Sequence, residues 1–155
     1  MLALYVLGAV RGQPDFTVNG TAAFAPASHV RQLALDFAAP PTPTLDNFVA
    51  GRNAELLVHL RHIAAGASQE RVFYLWGESG SGRTHLLRAT VAALHSARAS
   101  AAYVACGPKT ALQDGLDRMN CVALDDLDQL GAEAQETAFH LYNALRERGG
   151  VLVSS

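Results

Sequence analysis

A glycine-rich segment over residues 77–84 constrains the fold of this chain more than any other feature. It reads Gly-Glu-Ser-Gly-Ser-Gly-Arg-Thr and follows the pattern G-x-x-x-x-G-K-[ST], except that Arg83 stands where lysine is expected. In this pattern backbone N–H groups surround the phosphates of a nucleotide, and the final hydroxyl binds Mg²⁺. The segment therefore predicts a phosphate-binding loop made by Gly77, Gly80, Ser81, Gly82, Arg83 and Thr84.

The residues on either side of this segment supply the structural context that the motif needs. Residues 71–76 are aromatic and β-branched, which predicts a buried strand. Residues 83–97 have the apolar spacing of a largely buried helix. Strand, glycine loop and helix in this order are typical of a phosphate-binding loop. An ordinary glycine-rich turn between a strand and a helix is the alternative.

The remainder of the chain alternates between helical and strand patterns. Such alternation, with apolar strands, predicts an α/β fold in which helices cover both faces of a parallel sheet. The predicted helices are residues 53–65 and 133–148, the predicted strands are 101–106, 121–126 and 150–155, and residues 108–115 are predicted as a short helix or a turn.

Composition excludes several classes of protein. The chain has 155 residues, half of them hydrophobic, which is enough for one domain with a core. Its net charge of −2 argues against general nucleic-acid binding. Cys106 and Cys121 lie in predicted strands and are expected to be small buried hydrophobes. No apolar run is as long as a membrane span, and residues 1–10 lack the basic start of a signal peptide, so we expect a cytoplasmic protein.

An acidic pair follows a short apolar strand later in the chain. Residues 121–124 are apolar and lead directly into Asp125 and Asp126. In proteins with a phosphate-binding loop, a neighbouring strand ends in an acid that reaches Mg²⁺. Thr84 and Asp125 are therefore the predicted metal residues, and Asp126 is the predicted catalytic group that polarises an attacking water. A solvated turn after a strand is the alternative.

Three segments resemble the DnaA-like AAA+ family. Residues 76–87 resemble the family's P-loop, including the His-Leu-Leu that follows it, and Leu124–Asp128 resembles its Walker B segment. Residues 45–53 resemble the box that lies against adenine. The resemblance implies a P-loop AAA+ nucleotide-binding fold over 45–155 that binds ADP or ATP with Mg²⁺. It also implies that Phe48, Val49 and His85 contribute to the nucleotide site.

Two further segments precede this domain. Residues 1–31 show no clear periodicity and are expected to be a flexible extension. Residues 32–37 read Gln-Leu-Ala-Leu-Asp-Phe and resemble the sliding-clamp-binding motif Q-x-x-L-x-F, while residues 38–44 form a proline-rich linker. The resemblance implies that the polymerase III sliding clamp (its β subunit) binds Gln32, Leu33, Leu35 and Phe37.

Arg83 and the clamp-like segment resemble features of the family's regulatory branch. That branch acts with the DNA-loaded clamp to promote hydrolysis of DnaA-bound ATP, and so represses re-initiation of replication. The implied partners are DnaA and the clamp, with DNA contacted only through the clamp, and the chain could self-associate. Arginine in the lysine position puts intrinsic ATP hydrolysis in doubt. A self-contained P-loop NTPase or kinase, and a DnaA-type origin binder, are the alternative functions.

The resemblance also makes an expectation about the sheet. The AAA+ order implies that the chain is incomplete at its C-terminus, before sensor 1. It places the last predicted strand in the interior of the sheet and a fifth strand beside residues 71–76. Without a fifth strand, this edge would be apolar and unpaired.

Overall fold

A fully parallel sheet of five strands is the centre of the fold. The computed structural model describes residues 2–7 and 41–155. The strands are β1 (Leu2–Leu7), β2 (Val72–Gly77), β3 (Ala101–Ala105), β4 (Cys121–Asp125) and β5 (Val151–Ser154). The helices are α1 (Ala54–Ala64), α2 (Arg83–Ser96) and α3 (Ala132–Arg148), with short 3-10 turns at Leu116–Arg118 and Leu127–Gln129.

The spatial order of the strands is β1-β2-β5-β4-β3. Because all strands are parallel, their carboxyl ends meet at one edge of the sheet. The glycine loop follows β2 at this edge, and the Asp125–Asp126 pair ends β4 there, one strand away across β5. The topology therefore brings together the two motifs that are far apart in sequence.

Helices cover both faces of the sheet, as predicted. On one face, α1 and α2 pack against alternate residues of β2, β4 and β5, including Phe73, Leu75 and Val153. On the opposite face, α3 packs against Val122 and Leu124 of β4 and Leu152 of β5. Successive residues of a strand point to opposite faces of the sheet. Because helices cover both faces, the buried strand β4 is apolar on both sides.

The apolar periodicity predicted the helices and their buried faces. Each of the three long helices lies within two residues of its predicted bounds. Gly149 ends α3 with a positive φ of 74°, where the absence of a side chain removes the steric cost of a left-handed residue. The residues that give these helices their apolar spacing are buried: Leu56, Leu60 and Ile63 in α1; Leu86, Leu87, Ala89, Thr90, Val91 and Leu94 in α2; and Ala134, Ala138, Leu141 and Leu145 in α3.

The expectation for the N-terminal extension was wrong for residues 2–7. These residues form β1, which pairs in parallel with β2 from Leu2 opposite Val72 to Leu7 opposite Gly77. The edge of β2 that was expected to be unpaired is therefore paired in this structure. Local periodicity did not predict β1, because this strand pairs with residues that lie 70 positions further along the chain. Residues 8–31 lie outside the described part of the chain.

The two cysteines differ in their surroundings. Cys121 is fully buried beneath α1 and α2, as predicted, whereas Cys106 is only half-buried. Burial, followed by the nearby carboxylates, raises the pKa of the Cys106 thiol to about 11. Both thiols are therefore neutral near pH 7 and poor nucleophiles.

The Cys121 thiol makes the free energy of unfolding depend on pH in the alkaline range. Burial raises its pKa to about 12, whereas an unfolded cysteine titrates near about 8.5. Its stabilising contribution is therefore complete below about pH 8.5 and is lost as pH rises towards the folded pKa. We expect the free energy of unfolding in urea to fall by roughly 1–2 kcal/mol more between about pH 8 and about pH 10 in the wild type than in Cys121→Ala. An equal fall in both proteins would contradict this.

Candidate functional site

The glycine loop connects β2 to α2 through two residues with left-handed backbone. Gly80 has a φ of 79° and Gly82 a φ of 95°, which side chains rarely adopt. Gly82 also lies close to Phe48: a Cβ at this position would be 2.6 Å from Cε2 of the phenyl ring. The sequence of the loop is therefore required both by its backbone angles and by the ring that packs against it.

The N-terminus of α2 is open and positively polarised. The N-terminal cap is Gly82, which has no side chain to satisfy the first helical N–H groups, and no acidic residue lies in the first turn of this helix. Unsatisfied N–H groups and the helix dipole favour an anion at such a position. The first residue, Arg83, adds a full positive charge. A phosphate group fits this combination of loop, helix end and charge.

A cleft of about 400 Å³ lies beside the loop. The hydroxyl oxygen of Ser81 is buried, and it has no hydrogen-bond partner in the described part of the chain. A buried polar atom without a partner is costly, so a ligand in the cleft would satisfy it. The cleft contains most of the residues predicted for nucleotide binding, which are Phe48, Val49, Gly80, Ser81, Gly82 and His85, together with Asn47, Asn53, Glu78 and Ser79.

The segment before α1 is held against the loop by specific contacts. A nitrogen of the His85 ring, Nε2, lies 2.9 Å from the backbone oxygen of Thr44. The His85 and Phe48 rings lie 5.7 Å apart, centroid to centroid. Val49 is 75% exposed and lies at the rim of the cleft. One wall of the cleft is thus formed by the segment that was predicted to contact the nucleotide.

Asp125 is the buried acid at the end of β4. Only 4% of it is exposed. Tyr103 donates a hydrogen bond of 2.6 Å from its hydroxyl to Oδ2, and Ser155 donates one of 2.8 Å to Oδ1. Burial acts to raise the pKa of Asp125, but these bonds, a third from Thr84 and the charge of Arg83 lower it below its usual value. Asp125 is therefore a carboxylate at neutral pH, and the structure places it beside Thr84.

Asp126 has a different environment from its neighbour. Its backbone is left-handed, with a φ of 55°, and its N–H donates to the Ser155 hydroxyl at 3.0 Å. Its side chain is 51% exposed, and Oδ1 lies 3.7 Å from Nη2 of Arg83. The arginine in the lysine position is thus paired with the carboxylate that was predicted to polarise water. An exposed pair of this kind is weak, so a phosphate can compete for the guanidinium.

The residues predicted for nucleotide and metal binding come together, and their roles remain predictions. Thr84 and Asp125 offer oxygen ligands of the kind that Mg²⁺ prefers. Gln32, Leu33, Leu35 and Phe37 lie outside the described residues. The sequence analysis missed Tyr103 and Ser155 as partners of Asp125. Tyr103 lies on β3 and Ser155 follows β5, so their proximity to Asp125 depends on how these strands pair with β4.

The described residues contain neither a cluster of metal-binding side chains nor a membrane-spanning helix. Within residues 2–7 and 41–155, no group of three or more histidine, cysteine, aspartate or glutamate side chains could hold a metal ion. In the same part of the chain, none of the helices has the length and apolar character needed to cross a membrane.

A larger cavity of about 560 Å³ lies beside α3 and is mainly apolar. No residue of the glycine loop lines it.

Known structures resemble the fold. The replication initiator DnaA bound to AMPPCP and single-stranded DNA superposes with a TM-score of 0.63 at 22% identity, over 74% of this chain and 41% of that one. AMPPCP-bound DnaA from Aquifex aeolicus gives a TM-score of 0.61 at 21% identity, over 75% and 42% of the two chains. These similarities confirm the predicted α/β AAA+ fold.

Sequence comparison gives the family. An uncharacterized protein of Haemophilus influenzae is 35% identical over 129 residues, which are 79% of this chain and 55% of that protein. The chain thus spans about half the length of this relative. The family model of the bacterial DnaA ATPase domain matches residues 40–155. The chain therefore belongs to the DnaA-related AAA+ family, through its bacterial DnaA ATPase domain.

Proposed function

We propose that the chain binds ADP or ATP with Mg²⁺ at the glycine loop and uses the nucleotide mainly to set a conformation. The loop and the open end of α2 receive the phosphates, and the unpartnered Ser81 hydroxyl supports a ligand in the cleft. Thr84 and Asp125 would hold Mg²⁺, which neutralises phosphate charge when it is bound. Phe48 and Val49 form the wall expected to contact adenine.

The proposal that the chain hydrolyses ATP slowly by itself rests on Arg83. Its guanidinium is longer and wider than an ammonium group, so it cannot occupy the same volume beside the β- and γ-phosphates. Its 3.7 Å approach to Asp126 also places a permanent positive charge beside the carboxylate that would polarise water. The guanidinium therefore competes with a water for that carboxylate. Phosphate binding is retained in this arrangement, and γ-phosphate chemistry is impaired.

The nucleotide preference tests this proposal. We expect the full-length protein to bind ADP at least as tightly as ATP in calorimetry, and to turn ATP over slowly. Arg83→Lys should increase ATP turnover by about tenfold or more, because the same positive charge then lies on a compact ammonium group beside the phosphates, and a gain of roughly 1.4 kcal/mol in the barrier gives that factor. Arg148→Lys, in the last turn of α3 and outside the cleft, is a matched control. Tighter binding of ATP than ADP, with rapid wild-type turnover, would contradict the proposal.

At the level of the whole protein, we propose a role in control of replication initiation like that of Hda, the DnaA regulatory inactivator. An Hda-like protein binds the DNA-loaded sliding clamp and promotes hydrolysis of ATP held by DnaA. The arginine at position 83 and the segment Gln32–Phe37 support this role over that of an initiator. The clamp segment supplies a polar side chain, Gln32, and an apolar anchor, Leu35 and Phe37, which is suited to a small pocket.

Clamp binding is the direct test of this role. Pull-down with the purified clamp should fail for Gln32→Ala and for Phe37→Ala, since hot-spot side chains commonly contribute 2 kcal/mol or more, which is roughly thirtyfold in affinity. Phe139→Ala is the matched control, because Phe139 is an exposed phenylalanine on α3. If both substituted proteins still bind the clamp like the control, the regulatory role loses its main support.

A self-contained NTPase or kinase is the second candidate function. The intact pair Asp125–Asp126 favours it, because an acid beside Thr84 and a second carboxylate to polarise water are more than nucleotide storage requires. Turnover without partners distinguishes the two functions. Wild-type hydrolysis or phosphoryl transfer at about 1 s⁻¹ or faster, typical of such enzymes, would favour the second.

A further inference from the structure

Tyr103 contacts the acidic end of β4 in a way that strand packing does not require. It lies on β3, which is one of the two edge strands of the sheet, and it is only partly buried. Its register partner is Ala123, whereas Asp125 pairs with Ala105. The tyrosine side chain therefore reaches diagonally along the sheet to Asp125, which is within the range of an aromatic residue. Because the Tyr103 hydroxyl is partly exposed, water could satisfy it. Burial therefore does not force its hydrogen bond to Asp125.

The hydrogen bond between these residues is short. The distance of 2.6 Å between the Tyr103 hydroxyl and Oδ2 is typical of an O–H donor bound to an ionised carboxylate. Burial, and then the bond to Asp125, raises the pKa of Tyr103, so its hydroxyl keeps the donated proton near neutral pH. Ser155 holds the other oxygen, Oδ1. The two donors restrict rotation of the carboxylate.

Arg88 connects this tyrosine to the helix that follows the glycine loop. Its Cζ atom lies 4.9 Å from the centroid of the Tyr103 ring, which is a cation–π distance. Arg88 comes one helical turn after Thr84 on α2, so both residues lie on the same helix face. A chain of contacts thus runs from α2 through Arg88 and Tyr103 to Asp125, beside the direct contact from Thr84.

We propose that Tyr103 is a positioning residue that aims the Asp125 carboxylate at nucleotide-bound Mg²⁺, and that Arg88 holds Tyr103 in place. The inference rests on the nucleotide–Mg²⁺ site proposed above. Partners that orient a metal-binding carboxylate act on metal affinity without touching the metal. Tyr103 therefore acts on the Mg²⁺-dependent part of nucleotide binding, and the phosphate-binding loop supplies the part that does not depend on Mg²⁺.

Two titrations of the full chain separate these parts. The first measures the affinity for ADP in EDTA, and the second measures the Mg²⁺ concentration that gives half of the Mg²⁺-dependent change with ADP present. In Tyr103→Phe we expect the Mg²⁺ midpoint to rise about tenfold to a hundredfold. ADP affinity in EDTA should change less than about twofold. Tyr142→Phe, which removes a hydroxyl from α3, is the matched control and should leave both values unchanged.

Coupling to Arg88 gives a second readout. Arg88→Gln should raise the Mg²⁺ midpoint in the same direction by a smaller factor. The double variant should then resemble Tyr103→Phe alone, because residues that act through one contact are not additive. Thermal unfolding of each protein shows whether the variants are folded, and a merely structural tyrosine would lower the melting temperature without shifting the Mg²⁺ midpoint.

The outcomes distinguish this inference from the proposed function. If wild-type protein binds ADP with Mg²⁺ and Tyr103→Phe leaves the midpoint unchanged, or weakens binding equally in EDTA, the positioning role is wrong and the nucleotide site stands. If the wild type binds no nucleotide, both are wrong. Loss of clamp or DnaA activity alone would leave the positioning role intact.

Discussion

Gly82→Ala is expected to weaken nucleotide binding by about tenfold to a hundredfold. The left-handed φ of 95° costs an alanine about 1–2 kcal/mol, so the loop is expected to leave this backbone conformation when no nucleotide is bound. Restoring the conformation on binding lowers the affinity about tenfold for each 1.4 kcal/mol. In addition, the new Cβ would lie 2.6 Å from the Phe48 ring, which must move away from the cleft. The substitution therefore disturbs both the phosphate loop and the wall expected to contact adenine. Calorimetry with ADP and Mg²⁺ measures the loss.

Two other glycines provide matched controls for this result. Gly66 has a φ of 69° and open space around it, and it lies after α1, away from the loop. Gly66→Ala should lower the free energy of unfolding by about 1 kcal/mol and leave nucleotide affinity unchanged. Gly80→Ala carries the backbone cost inside the loop without the clash, since nothing lies within 4 Å. If Gly82→Ala binds ADP as tightly as Gly66→Ala, the proposed phosphate site is wrong.

Phe73→Ala should cause the largest loss of folding stability. Phe73 lies on β2 with 0% of its surface exposed, packed beneath α1 and α2. Truncating a buried phenylalanine costs about 3–5 kcal/mol, since it removes apolar contacts and leaves a cavity. Domains of this kind are stable by only about 5–15 kcal/mol. We therefore expect a large fall in the urea midpoint, or a chain that is mainly unfolded.

An exposed phenylalanine provides the comparison. Phe139 on α3 is 62% exposed, and Phe139→Ala should change the free energy of unfolding by less than about 0.5 kcal/mol. Phe73→Leu retains most of the buried volume and should be intermediate. Equal midpoints for Phe73→Ala and Phe139→Ala would show that β2 is not in the core. Because β2 leads into the glycine loop, loss of Phe73 should also reduce nucleotide binding.

The local elements of this fold could be read from the sequence because their signals are local. The apolar spacing along α2 and the left-handed glycine after α3 each depend on neighbours within one or two helical turns. The same is true of the glycine loop, whose residues act through their own backbone angles. The exception is β1, which has an apolar sequence but needs β2 to become a strand, so its pairing could not be foreseen from nearby residues.

The chemistry of the site divides in the same way. Residues 77–84 and the pair Asp125–Asp126 by themselves determined the predictions of a phosphate-binding loop and of an acid at the end of a strand. Only the tertiary structure decided that Arg83 approaches Asp126 and that Tyr103 holds Asp125. The physical reason is that loop and helix preferences come from sterics and periodicity within a few residues, whereas these contacts depend on the order and register of parallel strands brought together by folding.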